Sequence, residues 1–177
     1  YKIYPQGETL SCVVKQEVTG FVFPDGTTTF LCPQSKPMGG FARTSPSYET
    51  SYTADDVAGK NGWGEGYTFP CLFRNGDNGW VLVSETGVNG GYCASRLLGH
   101  KGGVYTIGFP QEGEANGNGT VSPGIALPGE TPWRTITVGK TLAPIVETTV
   151  PFDVVKPLYQ AKGEYTYGRG SWSWIIG

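Results

Sequence analysis

Thr131 to Gly139 reads TPWRTITVG, and its polar and apolar positions alternate. Trp133, Thr135, Thr137 and Gly139 fall on one side of an extended chain, and Arg134, Ile136 and Val138 on the other. A period of two is the pattern of a half-buried strand. Pro132 stands at its start, where a missing N–H costs least. Pro144, Pro151 and Pro157 then exclude one long regular helix after it. Val154 to Ala161 is a candidate short helix. The chain closes on SWSWII at 171–176, an apolar, β-prone run. It reads as the first strand of a further unit, and Tyr165 to Ile176 is expected to be poorly anchored or to pair with a second copy.

Earlier segments follow the same β pattern. YKIY at 1–4 and Leu10 to Val18 are strand candidates. Phe21 to Phe23 lead into Pro24-Asp25-Gly26, a turn in which Pro presets φ and Asp-Gly tolerates positive φ. Thr27 to Cys32 returns, so residues 17–32 read as a hairpin. Residues 33–66 are rich in Ser, Thr, Gly and Asp, with Tyr48 and Tyr52 as possible anchors of a short strand. YTFPCLF at 67–73 and Trp80 to Ser84 flank RNGDNG, which holds Asn-Gly twice and predicts a second hairpin. SRLL and GVYTIGF, within 95–109, add two short runs, and a Gly/Pro/Glu loop fills 110–130. No stretch carries a helical period of about 3.6 residues. Short strands with turn signals about every 8–12 residues predict an all-β sandwich, mostly antiparallel.

Composition agrees. Of 177 residues, 28 are Gly and 13 Pro, which favours turn-rich structure, and 13% are aromatic, which excludes a disordered chain. The net charge of −2 leaves no basic footprint for nucleic acid. No apolar run is long enough for a membrane span. The chain starts at Tyr1 with no signal peptide, as a mature fragment would. Cys12, Cys32, Cys71 and Cys93 form no Cys-x-x-Cys pair, so a zinc site is disfavoured. Disulfides and free thiols both stay open.

Candidate chemistry is sparse. His100 sits in LLGHKGG, an exposed-turn setting, and a lone His defines no catalytic device. GRGS at 168–171 is not a nucleophile elbow, and GVNGG at 87–91 lacks the Lys-Ser/Thr of a phosphate loop. Asn118-Gly119-Thr120 fits a glycosylation sequon, a triplet that also arises by chance. The remaining chemistry is carboxylates, two of which flank the bond in glycoside hydrolysis. Asp55, Asp56, Glu65, Glu130 and Glu147 fall mostly in loops. Glu85 is distinct: it follows WVLVS, and alternation puts it on the face of Val81 and Val83. A carboxylate there is either a solvated rim residue or paired with a cation.

TPWRTITVG, IVETTVPFDVVKPLY (145–159) and GRGSWSW (168–174) resemble glycoside hydrolase family 97, bacterial α-glucosidases and α-galactosidases. Thr131 to Arg134 matches the family's tPWR strand. Trp80-Val-Leu-Val-Ser-Glu85-Thr86 resembles its W-x-L-x-x-E-[AT] motif, with Thr86 where Ala is usual. EVTGFVFPDGTTTF (17–30) is similar to its Glu-then-Phe hairpin. The resemblance implies a galactose-mutarotase-like β-supersandwich over 1–150, incomplete at its start. Residues 151–177 would be the linker and the first residues of a (β/α)8 catalytic barrel. It implies a parent enzyme that cleaves α-glycosidic bonds of an oligosaccharide, exported to the periplasm or cell surface. The acid and base carboxylates would lie on the barrel, so no catalytic residue is assigned here and the fragment alone is expected to be inactive. Glu85 is implied as a calcium ligand shared with the barrel. The other reading is a non-catalytic carbohydrate-binding sandwich, with Trp63, Trp80 and Trp133 stacking on sugars.

Overall fold

The computed structural model describes residues 1–33, 54–57, 66–99, 102–110 and 122–157, together with 163 and 170. The strands are β1 (Lys2–Ile3), β2 (Ser11–Val13), β3 (Gly20–Val22), β4 (Thr28–Pro33), β5 (Ala54–Val57), β6 (Tyr67–Arg74), β7 (Trp80–Thr86), β8 (Arg96–Gly99), β9 (Val104–Gly108), β10 (Gly124–Ala126), β11 (Gly129–Glu130) and β12 (Trp133–Gly139). Two single-turn helices, α1 (Ala143–Val146) and α2 (Val150–Asp153), follow. The fold is the expected all-β sandwich. An eight-stranded sheet runs β12-β7-β6-β8-β9-β3, with β4 joined to β6 and β5 joined to β4. Ribbons β1–β11 and β2–β10 complete it, and every pair is antiparallel. Among the described residues no helix is long and apolar enough to cross a membrane.

The core lies on one face of the large sheet. Phe23, Tyr67, Cys71, Phe73, Val83, Leu97, Tyr105 and Ile107 pack there as one buried cluster. Phe23 stacks on Phe73 with ring centroids 3.9 Å apart, and Tyr105 meets Phe73 edge-on at 5.1 Å. Such aromatic pairs add to the area they bury. Register carries the face outward: Cys71 lies opposite Val83, and Val83 opposite Ile136. Yet Ile136 is 54% exposed and Val138 68%. The half-buried strand expected here does lie in a sheet, as the end strand of the described path, and the apolar side of its alternation is the less covered one. The opposite side holds Thr135 and Gly139, buried beneath the helical turns. Thr137 bonds Thr148 through their hydroxyls at 3.1 Å, and Thr86 donates to the Pro151 carbonyl at 2.9 Å.

The second hairpin forms as predicted. Asn75 N–H donates to the Gly79 carbonyl at 2.8 Å and closes a loop that contains one 3-10 turn. Gly79 has φ +141, and a Cβ there would stand 2.7 Å from the Gly139 carbonyl oxygen, so only glycine fits. The first hairpin does not form. The Pro24 to Thr27 turn is present, with Thr27 N–H donating to the Pro24 carbonyl at 3.2 Å. However, β3 pairs with β9, while β4 pairs with β5 and β6. Phe23 N–H is taken by the Gly103 carbonyl at 3.0 Å, so the chain turns a corner between distant strands instead of folding back on itself.

Helix also sits earlier than expected, with Pro144 and Pro151 in the first turns of α1 and α2, where a missing N–H costs nothing. Of Val154 to Ala161, residues 154–157 are not helical and the rest lie outside the described residues. So do Tyr48, Tyr52, His100, the 118–120 sequon and, apart from Gly170, the Tyr165 to Ile176 segment. β5 begins two positions after Tyr52. The four cysteines are free thiols.

Truncating Phe73 to Ala removes the centre of the buried stack and should destabilise the chain by about 3–5 kcal/mol in urea unfolding. Ile136→Ala, on the exposed end strand, should stay within about 0.5 kcal/mol. Equal effects would show that the core extends across this face to the end strand.

A buried arginine and carboxylate cluster as the candidate functional site

Glu85 is next to last in β7, and antiparallel register sets Arg134 of β12 directly opposite it. Directly opposed side chains share a face at close range. Here that face is the core face, so alternation had already placed Glu85 correctly. The structure selects the paired reading over the solvated one: Arg134 Nη1 lies 3.0 Å from Glu85 Oε2, and the two side chains are 8% and 5% exposed.

Two further segments close the cluster. The connection from β7 to β8 turns at Asn89, whose Oδ1 accepts from Gly91 N–H at 2.7 Å. That turn returns the chain so that Ser95 faces Glu85. Ser95 N–H donates to Glu85 Oε1 at 3.1 Å, and the Ser95 hydroxyl donates to Glu85 Oε2. From the connection between β2 and β3 comes Glu17, whose side chain is 4% exposed. Arg134 Nη2 donates to Glu17 Oε2 at 2.9 Å and to Ser95 Oγ at 2.7 Å, while Nη1 donates to the Pro132 carbonyl at 3.0 Å. Tyr92 donates its hydroxyl to Glu17 Oε2 at 3.4 Å. Both terminal nitrogens of the guanidinium are therefore engaged on two sides each. Arg134 Nε is buried with no hydrogen-bond partner among the described residues.

Two carboxylates thus share one guanidinium. Burial pushes the Glu85 carboxyl above the usual carboxylate range. The Ser95 hydroxyl, Arg134 and the Ser95 N–H pull it down, and Glu17 pushes it further up. Burial prevails although an arginine stands beside it. Removing Arg134 would leave both buried carboxylates uncompensated, at a cost of about 3–5 kcal/mol.

Glu17 was missed in the sequence as a site residue. Its only signal was its place at the head of the EVTGFVFPDGTTTF stretch. Ser95 and Tyr92 carried no signal of their own. The other carboxylates do not join. Glu130 and Glu147 are exposed, and exposed Asp55 pairs with Arg74 and Thr28 at the far side of the sheet. Glu65 and the Asp56 side chain lie outside the described residues. Among the described residues no group of three or more His, Cys, Asp or Glu could hold a metal ion.

An open cleft of about 300 Å³ adjoins the cluster, with Tyr1, Lys2, Glu17, Thr131, Trp133 and Arg134 on its walls. Trp133 is 54% exposed there. Trp80 instead packs 5.5 Å from the Phe30 ring and under the Arg74 guanidinium at 5.8 Å, a core-edge role. Trp63 lies outside the described residues.

A family model described as Glycosyl-hydrolase 97 N-terminal matches residues 1–157. The chain is also similar to the crystal structure of a β-arabinopyranosidase, with 60% identity and a TM-score of 0.81 over 93% of this chain. It spans 26% of that protein, about a quarter of its length. No curated protein sequence matches it.

The raised carboxyl of Glu85 has a signed consequence. The folded state holds this proton more tightly than the unfolded state does. Stability should therefore fall as pH rises from the ordinary Glu value of about 4.3 to the raised one, and flatten above it. Glu85→Gln should abolish that decline. Urea midpoints for both proteins between pH 4 and 8 measure it, and parallel profiles would contradict it.

Proposed function

The chain belongs to the glycosyl-hydrolase 97 N-terminal family, and from that premise we propose that its parent hydrolyses pyranosides of the arabino and galacto configuration. That it is the N-terminal domain of a glycoside hydrolase follows from the family. The substrate is the proposal. The observation that supports it is the 60% identity of this domain to that of a β-arabinopyranosidase. A β-L-arabinopyranoside and an α-D-galactopyranoside present the same ring stereochemistry and differ by one hydroxymethyl group. The α-galactosidase side of the expected activity therefore extends naturally to arabinopyranosides, whereas an α-glucoside inverts a ring hydroxyl. The same reading has the parent act in the periplasm or at the cell surface on oligosaccharides.

Glycoside hydrolysis needs two positioned carboxylates beside the bond. The two buried ones here, Glu17 and Glu85, are both bound to one guanidinium. The chemistry accordingly belongs to a separate catalytic domain. This domain supplies a wall and a carboxylate.

The carboxylate is Glu85, which on this reading gives one oxygen to a calcium ion completed by the catalytic domain. The residues fit that role in two respects. A carboxylate offers about four lone-pair sites, and a lone pair of Oε1 remains beside the Ser95 N–H bond. The cluster also carries one more carboxylate than guanidinium, and calcium takes oxygen ligands that are often carboxylates. When bound, the ion would supply charge stabilisation and orient substrate oxygens. This chain's own residues do the rest: Ser95 and Arg134 fix the carboxylate, and the β7–β12 register fixes Arg134.

For the full-length protein, kcat/KM on 4-nitrophenyl β-L-arabinopyranoside should exceed that on the α-D-glucopyranoside by at least about a hundredfold. The reverse order would overturn the substrate proposal. The 177-residue chain alone should show no turnover. Pure chain that hydrolyses either compound, and loses this on one carboxylate change, would contradict the assignment of chemistry to another domain.

Glu85→Gln in the full-length enzyme should keep the fold and lose calcium-dependent activity. A normal calcium response would leave Glu85 with a structural role alone.

A further inference from the structure

The cluster holds a charge imbalance whose source is Glu17. Arg134 and Glu85 by themselves would form a neutral buried pair at 3.0 Å. A dication approaching such a pair meets the guanidinium as well as the carboxylate, and gains little. Glu17 changes this. It lies on the far side of the guanidinium, on Nη2, 2.9 Å away and 4% exposed, and it is held there by the Tyr92 hydroxyl as well. Ser95 Oγ bridges the halves, accepting from Nη2 and donating to Glu85. The planar fork of arginine makes this division possible, because Nη1 and Nη2 point to different partners. A lysine, as a point charge, could not divide itself so.

Resting on the reading of Glu85 given above, we propose that Glu17 is a positioning residue for the cation site: by occupying the Nη2 side of Arg134 it lets the arginine anchor Glu85 without neutralising it, so that one negative charge remains for a divalent cation. Glu17 acts through Arg134 and is not itself a ligand of the ion. Its connection, between β2 and β3, is far from β7 in sequence, so the cation site draws on three separate segments of the sandwich. Partners that orient a metal ligand typically contribute about 10–100-fold to affinity.

The test uses the full-length protein, stripped with chelator and titrated calorimetrically with calcium chloride. Melting without calcium serves as the folding check. Glu17→Gln should weaken calcium binding by about 10–100-fold. Glu17→Asp, which keeps the charge, should bind more tightly than Glu17→Gln. A merely structural Glu17 would instead show no rescue by Glu17→Asp. Unchanged affinity in Glu17→Gln, alongside loss in Glu85→Gln, overturns this inference and leaves the Glu85 reading standing. Equal affinities for Glu17→Gln and Glu17→Asp also overturn it. Unchanged affinity in Glu85→Gln overturns the Glu85 reading and this inference with it.

Discussion

One guanidinium ties the sandwich together. Arg134 reaches Glu85 across the β7–β12 ladder, Glu17 from the β2–β3 connection, and Ser95 at the entry to β8. Slipping β12 by a single residue would turn Arg134 to the other face and separate all three. Register in this strand is therefore constrained by charge as well as by apolar burial. Its apolar positions, Ile136 and Val138, are largely exposed and could not enforce it by themselves.

The apolar core and the polar cluster share one face of the sheet. Val83 belongs to the aromatic core, and Glu85, two positions on, belongs to the cluster. The low-dielectric surroundings that the core provides make each hydrogen bond to Glu85 count for more, and would make any missing one expensive. That same burial raises the Glu85 carboxyl in spite of its arginine. An excess carboxylate in such a setting attracts a cation, whether a proton or a metal ion.

Much of the fold was legible because β structure writes a local code. Alternation placed β7, β12 and the inward aim of Glu85, and Asn-Gly pairs placed the β6–β7 hairpin. Where the reading failed, partner choice was the cause. Pro24-Asp25-Gly26 specifies a turn from local backbone chemistry, but nothing local says whether the flanking strands pair with each other. Here β3 goes to β9 and β4 to β6. Glu17 was illegible as a site residue for the same reason. It stands in no regular strand, and its partner Arg134 is distant in the chain. Glu85 announced itself by following a buried row.

The most direct measurement is a high-resolution crystal structure of the full-length protein with calcium. The cluster predicts one Glu85 oxygen within about 2.3–2.6 Å of the ion, with Arg134 still bridging Glu85 and Glu17 and Ser95 still donating to Glu85. An ion bound without Glu85, or an Arg134 turned away from Glu17 with the ion in place, would contradict it.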